Sequence, residues 1–411
     1  MKTIVQKFGG SSLATAELRA LAATRVLAAR SRGIAPVVVC SALGRWPDPY
    51  ATDALGALVG DAAGGPNRDL LLACGETIAC AVFAEVLVAR GADAQALTGG
   101  QAGIITDAHF GNATILRVEP ATVRAALARG IIPVVAGFQG VTEDGTITTL
   151  GRGGSDLSAI ALGAALKAEV VEVFTDVSGV MSGDPRRIPG AQPLERVHYA
   201  EMVELASDGA KVMHVKAAEL ARVTGTPYVV KGLQANFGTT IDESTPSSGE
   251  TPVAGITSVA GVALFRVAGG RNALGHAPQL AAPIFRRLAE RSVSVDMVNI
   301  NDAGIFFVVD ATCTGPVQAE LDRLDVRWSV HANCAKLSIV GAGMRGAPGV
   351  VSRVVDVLAD ACVDILHTTD SNITISVLVA AHDEARAERT LHDAFALGRE
   401  VRLRVEIGQG R

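Results

Sequence analysis

The chain has little of what several protein classes require. Only 4% of its 411 residues are aromatic, and its formal net charge of −5 at pH 7 provides no basic surface of the kind that nucleic-acid binding needs. No stretch approaches the roughly 18 uninterrupted apolar residues of a membrane span. The opening MKTIVQKFGG predicts a strand and a glycine turn and not a signal peptide. We therefore expect a cytoplasmic protein that binds neither nucleic acid nor membrane.

The six cysteines form neither a disulfide framework nor a metal-binding pattern. They are scattered along the chain, with no C-x-x-C pair and no cluster with histidine. Most have apolar neighbours, which is typical of buried, reduced thiols. Their positions are Cys40, Cys74, Cys80, Cys313, Cys334 and Cys362.

Apolar residues are abundant, at 49% of a chain that is too long for one ordinary core. In residues 1 to about 236, short β-branched runs alternate with longer helical patterns. The predicted strands are 36–40, 131–138 and 170–174, and the predicted helices are 14–32, 70–90 and 155–167. This alternation predicts a parallel or mixed sheet with helices on both faces, which is an α/β sandwich.

The rest of the chain is organised differently. Residues 237–252, FGTTIDESTPSSGETP, cannot build a core and predict a linker. Beyond it, the pattern β-α-β-β occurs twice, about 70 residues apart. The first copy has strands at 263–267, 293–299 and 304–310 and a helix at 281–290 with Pro283 in its first turn, and the second has strands at 335–340, 363–367 and 373–379 and a helix at 349–361. We expect two small units that bury their helix faces by pairing their sheets.

The first loop that can do chemistry, KFGGSS at 7–12, follows the opening strand directly. Gly9 and Gly10 let the backbone approach an anion, and their N–H groups can point at phosphate oxygens. Lys7, just before them, can neutralise charge on a transferred phosphoryl group. The loop is not a Walker A sequence. Taken alone, it is also compatible with a plain tight turn.

The second loop, TLGRGGSD at 149–156, lies between an extended segment and a helix. Arg152 can pair bidentately with a carboxylate. Asp156 places its charge at the start of the helix, where the helix dipole favours an anion. A simple helix cap at Ser155 or Asp156 is the alternative, and both roles can coexist.

The third loop, FTDVSGV at 174–180, runs on to GDPR at 183–186. It starts where a strand ends, and open α/β sheets bind their ligands at the carboxyl ends of strands. Taken alone, the D-P-R sequence indicates only an ordinary turn. All three loops follow extended segments of one predicted domain, and all three suit anionic ligands.

Together these loops resemble the aspartate kinases of the amino acid kinase superfamily. The resemblance rests on K-F-G-G-S-S, G-R-G-G-S-D, T-D-V-x-G-V…D-P-R and G-A-K-V-M-H in this order, with SALG at 41–44, CGE at 74–76, TGGQAGIITD at 98–107 and AGFQG at 136–140 between them. It covers essentially the whole chain. It implies an amino acid kinase three-layer α/β/α sandwich over 1–245, followed by two ferredoxin-like (α+β) ACT domains over 253–334 and 335–411. Residues 385–411 are expected to complete the first ACT domain.

The resemblance also implies an activity, the ATP-dependent phosphorylation of the side-chain carboxylate of L-aspartate. Lys7 and Asp156 would be catalytic, Arg152 would bind the α-carboxylate of aspartate, and Glu76 would bind its α-ammonium group. The implied aspartate-binding residues are Ser41, Glu76, Phe138, Arg152, Gly153 and Ser155. The implied ATP-binding residues are Lys7, Gly9, Gly10, Ser11, Thr175, Asp176, Gly179, Asp184, Arg186 and Lys211. Mg²⁺ would be held mainly by the ATP phosphates, so no tight protein metal site is expected.

The C-terminal region is expected to bind an amino-acid effector. In the family, effector sites form where ACT units pair between chains, so a homo-oligomer, either a dimer or a tetramer, is implied. The implied effector-binding residues are Asp296, Met297, Val298, Asn299, Asp370, Ser371, Asn372 and Ile373. The tail resembles the lysine/diaminopimelate-branch type.

Two departures from the family pattern fall near the expected nucleotide. Ser178 stands where T-D-V-D-G is usual, and Val215-Lys216 follow His214 where the family often has Pro-Arg or Thr-Arg. Two other functions stay open from the residues. The first is a sister kinase that acts on glutamate or an N-acylated amino acid. Glu76 and Arg152 favour a free α-amino acid as the substrate, which argues against an N-acylated one. The second is a non-enzymatic amino-acid sensor whose kinase half is inactive. The presence of Lys7, Arg152 and Asp156 argues against this function.

The segment GAGMRG at 341–346 fits G-x-G-x-x-G between a strand and a helix, which by itself suggests a dinucleotide site. Too little chain remains for a full Rossmann half, and Pro348-Gly349 interrupt the approach to the helix. The same β-α-β-β pattern also occurs upstream without the fingerprint. We expect this loop to be an effector-binding turn of an ACT unit.

Overall fold

A computed structural model describes residues 2–60, 64–210, 212–244, 252–268, 277–324, 326–344 and 347–398. The chain divides into two compact units. The first contains Met1–Val180 and Pro193–Pro246, and the second contains Met181–Gln192 and Ser247–Arg411. The predicted domain boundaries at 245, 253 and 335 stay predictions.

The first unit is built on two sheets. The larger has eight strands in the order β10-β12-β11-β9-β1-β2-β6-β3, and the smaller has four in the order β5-β4-β7-β8. Pairing is parallel from β11 through β9, β1, β2 and β6 to β3, and β11 and β12 are antiparallel. The strands are β1 (Thr3–Phe8), β2 (Ala35–Cys40), β3 (Ala94–Leu97), β4 (Ile104–Thr106), β5 (Ile115–Val118), β6 (Ile132–Ala136), β7 (Gln139–Val141), β8 (Ile147–Thr149), β9 (Val170–Thr175), β10 (Arg196–His198), β11 (Tyr228–Gly232) and β12 (Thr239–Asp242).

Helices cover both faces of the larger sheet. They are α1 (Gly10–Leu13), α2 (Ala16–Ser31), α3 (Thr52–Ala57), α4 (Pro66–Val88), α5 (Ala121–Ala128), α6 (Gly154–Leu166), α7 (Tyr199–Ser207) and α8 (Val215–Thr224). Phe8 packs with apolar side chains of α2 and α4 in one core cluster. Lys7 points to the opposite face, because successive strand residues alternate, and there it meets α6. The predicted α/β sandwich is confirmed.

Helix α4 is long and apolar enough to cross a membrane by length and composition alone. Two of its carboxyl side chains, Asp69 and Glu76, are nevertheless buried, at 0% and 2% exposed. Ala79 and Phe83 of the same helix lie in the core cluster of the first unit. Helix α4 therefore packs as the core helix of a folded unit.

The register of the parallel strands aligns their carboxyl ends. Phe8 of β1 pairs with Cys40 of β2 and with Phe174 of β9, and Cys40 pairs with Ala136 of β6. Each of these residues is at or next to the end of its strand. The loops that follow β1, β2, β6 and β9 therefore leave the sheet at one edge, which is where a doubly wound sheet binds ligands.

The second unit contains one six-stranded sheet in the order β14-β15-β13-β16-β18-β17. Its strands are β13 (Gly255–Ala268), β14 (Asp296–Asn301), β15 (Gly304–Asp310), β16 (Arg327–Val340), β17 (His367–Asp370) and β18 (Thr374–Ala380), and its helices are α9 (Ala277–Glu290), α10 (Thr314–Asp322), α11 (Val350–Asp360) and α12 (Glu384–Ala394). The long strands β13 and β16 are shared by two cores. One contains residues of α9 and α10, and the other contains residues of α11 and α12. The predicted tandem of α+β units is confirmed.

Four predictions about local structure need correction. The predicted linker contains strand β12, where Thr239-Thr240-Ile241 pair with β11 and β10. Helix α9 starts at Ala277 and not at 281, so Pro283 lies inside the helix and not in its first turn. The strand predicted at 363–367 lies at His367–Asp370. Each β-α-β-β copy also continues into a further helix, α10 or α12.

Two predicted features extend into residues outside the described ranges. The segment Ala342–Met344 forms a 3₁₀ turn after β16, and the last two residues of GAGMRG lie outside the described residues. Ala387, Leu391 and Phe395 lie in the core that contains α11. The strand-like segment 401–407 lies outside the described residues. Completion of the first ACT domain by 385–411 therefore stays a prediction.

Candidate active site

Lys7 and Asp156 form an ion pair at the carboxyl edge of the larger sheet. The Lys7 ammonium lies 2.6 Å from Asp156 Oδ1, and the two side chains are only 10% and 14% exposed. Lys7 comes from β1, and Asp156 comes from the first turn of α6. This pair joins the first and second of the loops that the sequence singled out.

The glycine turn after Lys7 is held tightly against its neighbours. Gly9 N–H donates to Phe174 O over 3.2 Å, which ties the turn to the end of β9. A Cβ atom on Gly10 would lie 2.5 Å from Gly44 O, so only glycine fits there. Ser11 follows in the short helix α1. The turn therefore brings backbone close to the ammonium group of Lys7.

Ser41 and Ser155 connect the loop after β2 to the start of α6. Their hydroxyl oxygens are 2.7 Å apart. Phe138, after β6, has a positive φ of 67°, and its N–H donates to Ser158 Oγ over 3.1 Å. A Cβ atom on Gly154 would lie 2.9 Å from the Phe138 ring. Ser41, Phe138 and Ser155 thus lie together at the start of α6, and their role in a substrate pocket stays a prediction.

Glu76 is a buried carboxyl group next to this cluster. Its Oε1 accepts a hydrogen bond from Ala42 N–H over 3.0 Å, whereas its Oε2 has no hydrogen-bond partner among the described residues. Burial raises the pKa of Glu76 to about 8, against the smaller lowering effect of the hydrogen bond from Ala42. A buried oxygen without a partner is costly unless it meets one when a ligand binds.

Asp69 holds the segment that leads into the G-R-G-G loop through backbone hydrogen bonds, a role that the sequence did not reveal. This fully buried carboxylate accepts from Thr149 N–H over 2.6 Å and from Gly111 N–H over 2.9 Å. In sequence, an acid in the first turn of α4 indicates only a favourable helix-dipole interaction. The bond to Thr149 fixes the chain three residues before Arg152, whose own side chain is exposed.

Thr175 ends β9 and Asp176 follows it, at the same edge of the sheet. Thr175 Oγ1 donates to Asp176 Oδ1 over 3.1 Å, and Asp176 pairs with Arg45 at 3.0 Å. Gly179 is buried, and a Cβ atom there would lie 2.7 Å from Thr239 Oγ1. Ser178, between them, is exposed. Arg45 lies in the loop after β2, and no sequence signal had indicated its contact with Asp176.

The remaining predicted ATP-binding residues lie either in the second unit or outside the described residues. Asp184 and Arg186 lie in Met181–Gln192, which belongs to the second unit. They pair with each other, with Arg186 Nη2 2.7 Å from Asp184 Oδ2. Arg186 lowers the pKa of the Asp184 carboxyl through this hydrogen-bonded pair. Lys211 lies outside the described residues. The nucleotide role of these three residues stays a prediction.

Within the second unit, the segment Met181–Gln192 is anchored to helix α12. Arg187 pairs with Glu384 and, over 3.3 Å, with Glu388, and it donates to Ser258 Oγ over 2.7 Å. Ser182 Oγ lies 2.9 Å from Nε2 of the buried His392. Burial is the main reason that the pKa of Glu388 is raised to about 7, while Arg187 acts in the opposite direction.

We expect Arg187→Met to destabilise the second unit by roughly 3 kcal/mol, because it leaves two carboxylates of α12 without their cation. Loss of Arg187 raises the pKa of Glu388 further, so the folded state binds more protons than the unfolded state over a wider pH range. The loss of unfolding free energy in Arg187→Met, relative to the parent, should therefore grow as the pH rises from 5.5 to 8. Urea unfolding at both pH values measures it. Arg186→Met is the matched control, and an equal loss in both variants at both pH values would contradict the assignment.

The predicted effector residues fall on two edge strands that approach each other, β14 and β17, and on the turn after β17. Met297, on β14, is buried, and its carbonyl accepts a hydrogen bond from His367 Nε2 over 2.9 Å at the start of β17. Asp296 Oδ2 pairs with Lys336 at 2.7 Å. The other predicted residues are Val298 and Asn299 on β14, Asp370 at the end of β17, and Ser371, Asn372 and Ile373 in the turn before β18. Their role as an effector site stays a prediction.

Comparison with known proteins decides between the open functions. Residues 2–232 match the amino acid kinase family, and residues 337–395 match an ACT domain. The chain is 43% identical to aspartokinase 1 of Bacillus subtilis, over 97% of this chain and 100% of that protein. It is 40% identical to the aspartokinase of Corynebacterium glutamicum over 100% of both.

The chain belongs to the aspartokinase family. The structure of E. coli aspartokinase III in complex with aspartate and ADP, described as the R-state, superposes with a TM-score of 0.78 at 25% identity and covers 96% of this chain and 99% of that one. The T-state complex of the same enzyme with lysine and aspartate gives a TM-score of 0.73 at 25% identity, over 95% and 99%.

As an aspartokinase, the protein is a phosphotransferase with a carboxyl acceptor. It transfers a phosphoryl group from ATP to the side-chain carboxylate of L-aspartate, the first step of aspartate-family amino acid synthesis. Its ACT region makes it an allosteric member of the family. The predictions of family, fold class and activity are confirmed.

Proposed function

We propose that phosphoryl transfer takes place beside the Lys7–Asp156 pair. The β-carboxylate of aspartate is already a nucleophile, so the site has to align it and neutralise charge and needs no general base. Lys7 would neutralise the γ-phosphoryl group as it moves, and Asp156 would hold the ammonium group of Lys7 in place. The 2.6 Å contact between the two supports this division of roles.

Aspartate would bind between the loop after β2 and the start of α6. Glu76 would accept the α-ammonium group through its unpartnered Oε2, and Arg152 would pair with the α-carboxylate. Ser41, Phe138, Gly153 and Ser155 would shape the pocket, which the Ser41–Ser155 contact of 2.7 Å supports. The observation that carries this proposal is Glu76, since a buried carboxyl group with one free oxygen suits a cationic ligand.

ATP would lie along the glycine turn. Gly9, Gly10 and Ser11 would line the phosphates, and Thr175, Asp176 and Gly179 would hold the rest of the nucleotide, with Asp184, Arg186 and Lys211 as further candidates. Mg²⁺ would be carried mainly by the phosphate oxygens, which are the hard ligands this ion prefers, and would neutralise their charge. Among the described residues, no group of three or more His, Cys, Asp or Glu side chains is placed to hold a metal.

Arg152→Lys is expected to raise the aspartate KM by about tenfold or more, because lysine cannot reproduce a bidentate contact with a carboxylate. The ATP KM should change less than about twofold, since the contact is made with the acceptor. Initial rates against each substrate, with the other saturating, measure both constants. Arg124, an exposed arginine on α5 that donates to Ala165 O, provides the control as Arg124→Lys. An unchanged aspartate KM in Arg152→Lys would remove Arg152 from the pocket.

We propose that the ACT region binds an end-product amino acid of the lysine branch. The effector sites would form between the chains of a dimer or tetramer. The enzyme would act in the cytoplasm. The E. coli relative solved with lysine supports the choice of effector class. Adding lysine, threonine or diaminopimelate to the assay tests it. Inhibition by lysine or diaminopimelate is expected, and inhibition by threonine alone would contradict the proposal.

A further inference from the structure

Helix α8 begins beside the G-R-G-G loop, and its first residues contact both sides of that loop. His214, the N-cap of α8, accepts a hydrogen bond at Nδ1 from Lys216 N–H over 3.3 Å. Lys216 Nζ donates to Asn112 Oδ1 over 2.6 Å. A Cβ atom on Gly151 would lie 2.9 Å from that same Asn112 oxygen. The start of α8 therefore reaches the first glycine of the loop through Asn112.

The second contact is direct. Gly153 has a left-handed φ of 72°, and a Cβ atom there would lie 2.3 Å from both Cβ and Cγ of His214. The imidazole thus packs against the bare Cα of Gly153, the residue that follows Arg152. Any side chain at 153 would collide with this ring and would also be strained by the positive φ.

Two of the three charged groups around His214, Asp156 and Arg152, belong to the candidate active site. Burial is the main reason that the pKa of His214 lies below its ordinary value of 6.5. Asp156 acts to raise that pKa, and Lys216 and Arg152 act to lower it. The ring is therefore neutral at pH 7, and because Nδ1 accepts from Lys216, its proton is on Nε2.

We propose that His214 is a positioning residue of the phosphoryl-transfer reaction. Its ring is anchored at the start of α8 and packs against Gly153. It thereby holds the G-R-G-G loop so that Arg152 meets the α-carboxylate of aspartate. This rests on the role proposed above for Arg152. It also gives a structural account of one departure from the family pattern, because the side chain of Lys216 makes the contact with Asn112.

The chain contains a matched control for a role in helix capping alone. His198 is the N-cap of α7, and its Nδ1 accepts from Ala200 N–H over 3.1 Å. His198 thus caps the N-terminus of α7 in the same way as His214 caps that of α8. The His198 ring lies beside Tyr199 and Glu243, and none of its hydrogen bonds or ion pairs among the described residues involves the G-R-G-G loop. Asparagine is itself a strong N-cap residue, so His→Asn keeps the capping acceptor at either position and removes only the ring.

The experiment compares His214→Asn with His198→Asn in the full-length enzyme. For each, the thermal midpoint and the KM values for aspartate and ATP are measured. We expect both variants to stay within about 3 °C of the parent, because capping is retained. His214→Asn should raise the aspartate KM by about tenfold and leave the ATP KM within about twofold, whereas His198→Asn should change neither.

Combining His214→Asn with Arg152→Lys separates this inference from the role of Arg152. If His214 acts through Arg152, the double variant should have an aspartate KM close to that of Arg152→Lys alone, because the effects are not additive. A raised KM in Arg152→Lys together with an unchanged KM in His214→Asn would overturn the role of His214 only. An unchanged KM in Arg152→Lys would overturn the role proposed for Arg152, on which this inference rests. Equal effects of the two His→Asn variants on both KM values would reduce His214 to a structural cap.

Discussion

Replacing Lys7 by methionine should lower kcat by about 10³-fold or more, the largest effect we expect from any single substitution. Methionine keeps an unbranched chain on β1 but removes the ammonium group that lies 2.6 Å from Asp156. Because Lys7 is assigned to charge that develops during transfer, the KM values for ATP and aspartate should each change by less than about threefold. Steady-state kinetics at saturating Mg²⁺-ATP measures all three constants.

Loss of a nearly buried ion pair also lowers stability, so a matched variant is needed. Lys231 lies on β11 of the same sheet, is 19% exposed and pairs with Glu172 at 2.5 Å. Glu172 also accepts from Gln6, the strand neighbour of Lys7 whose side chain points to the other face. Lys231→Met should therefore cost comparable stability while leaving kcat within about threefold of the parent. Near-normal turnover in Lys7→Met would exclude lysine from the mechanism.

Glu76→Gln should raise the aspartate KM by roughly 100-fold, because it removes the negative charge that meets the substrate ammonium group. The amide keeps the acceptor for Ala42 N–H, so the fold is retained. The pKa of about 8 adds a pH signature in the parent enzyme. Aspartate requires the ionised carboxylate, so the parent KM should fall as pH rises from 6 to 8, by up to about tenfold per unit.

In Glu76→Gln this pH dependence should disappear. Glu85→Gln, an exposed position on the same helix, is the control and should keep both the parent KM and its pH profile. Stability provides a second readout with a defined sign. A folded pKa raised from 4.5 to about 8 means that the folded state binds more protons in that window, so the parent loses stability as pH rises through it and Glu76→Gln does not. An unchanged aspartate KM in Glu76→Gln would contradict the ammonium role.

The sequence predicts the bounds of strands that consist of buried, β-branched runs. It misses the bounds of strands whose position depends on the neighbouring strand with which they pair. Strand β15 was predicted with its observed bounds, 304–310, because GIFFVVD is apolar and β-branched. The strand predicted over the apolar residues 363–367 instead lies at His367–Asp370. Its position is set by the turn, since Ser371 N–H donates to Thr374 O and pairing then starts at Asp370 with Ile375. Apolar content alone could not reveal that register.

At the site, the sequence predicted the groups that would touch ligands and not those that hold them. Lys7, Asp156, Ser41 and Ser155 lie together because their loops leave one sheet edge, as the strand–loop pattern implied. The supporting residues gave no such signal. Asp69 directly precedes the predicted helix 70–90 and drew no attention, and His214 appeared only as the last residue of the motif G-A-K-V-M-H. Their contacts with backbone far away in sequence depend on the fold itself.

The central claim is that this site phosphorylates the side-chain carboxylate of L-aspartate. The most direct test is ATP-dependent acyl-phosphate formation, trapped as the hydroxamate, with L-aspartate, L-glutamate and N-acetyl-glutamate compared side by side. The account predicts strong product formation with L-aspartate alone, abolished in Lys7→Met. Product from one of the other acids in place of aspartate would contradict the substrate assignment. No product from any acid, with ATP still bound, would contradict the activity and favour a sensor.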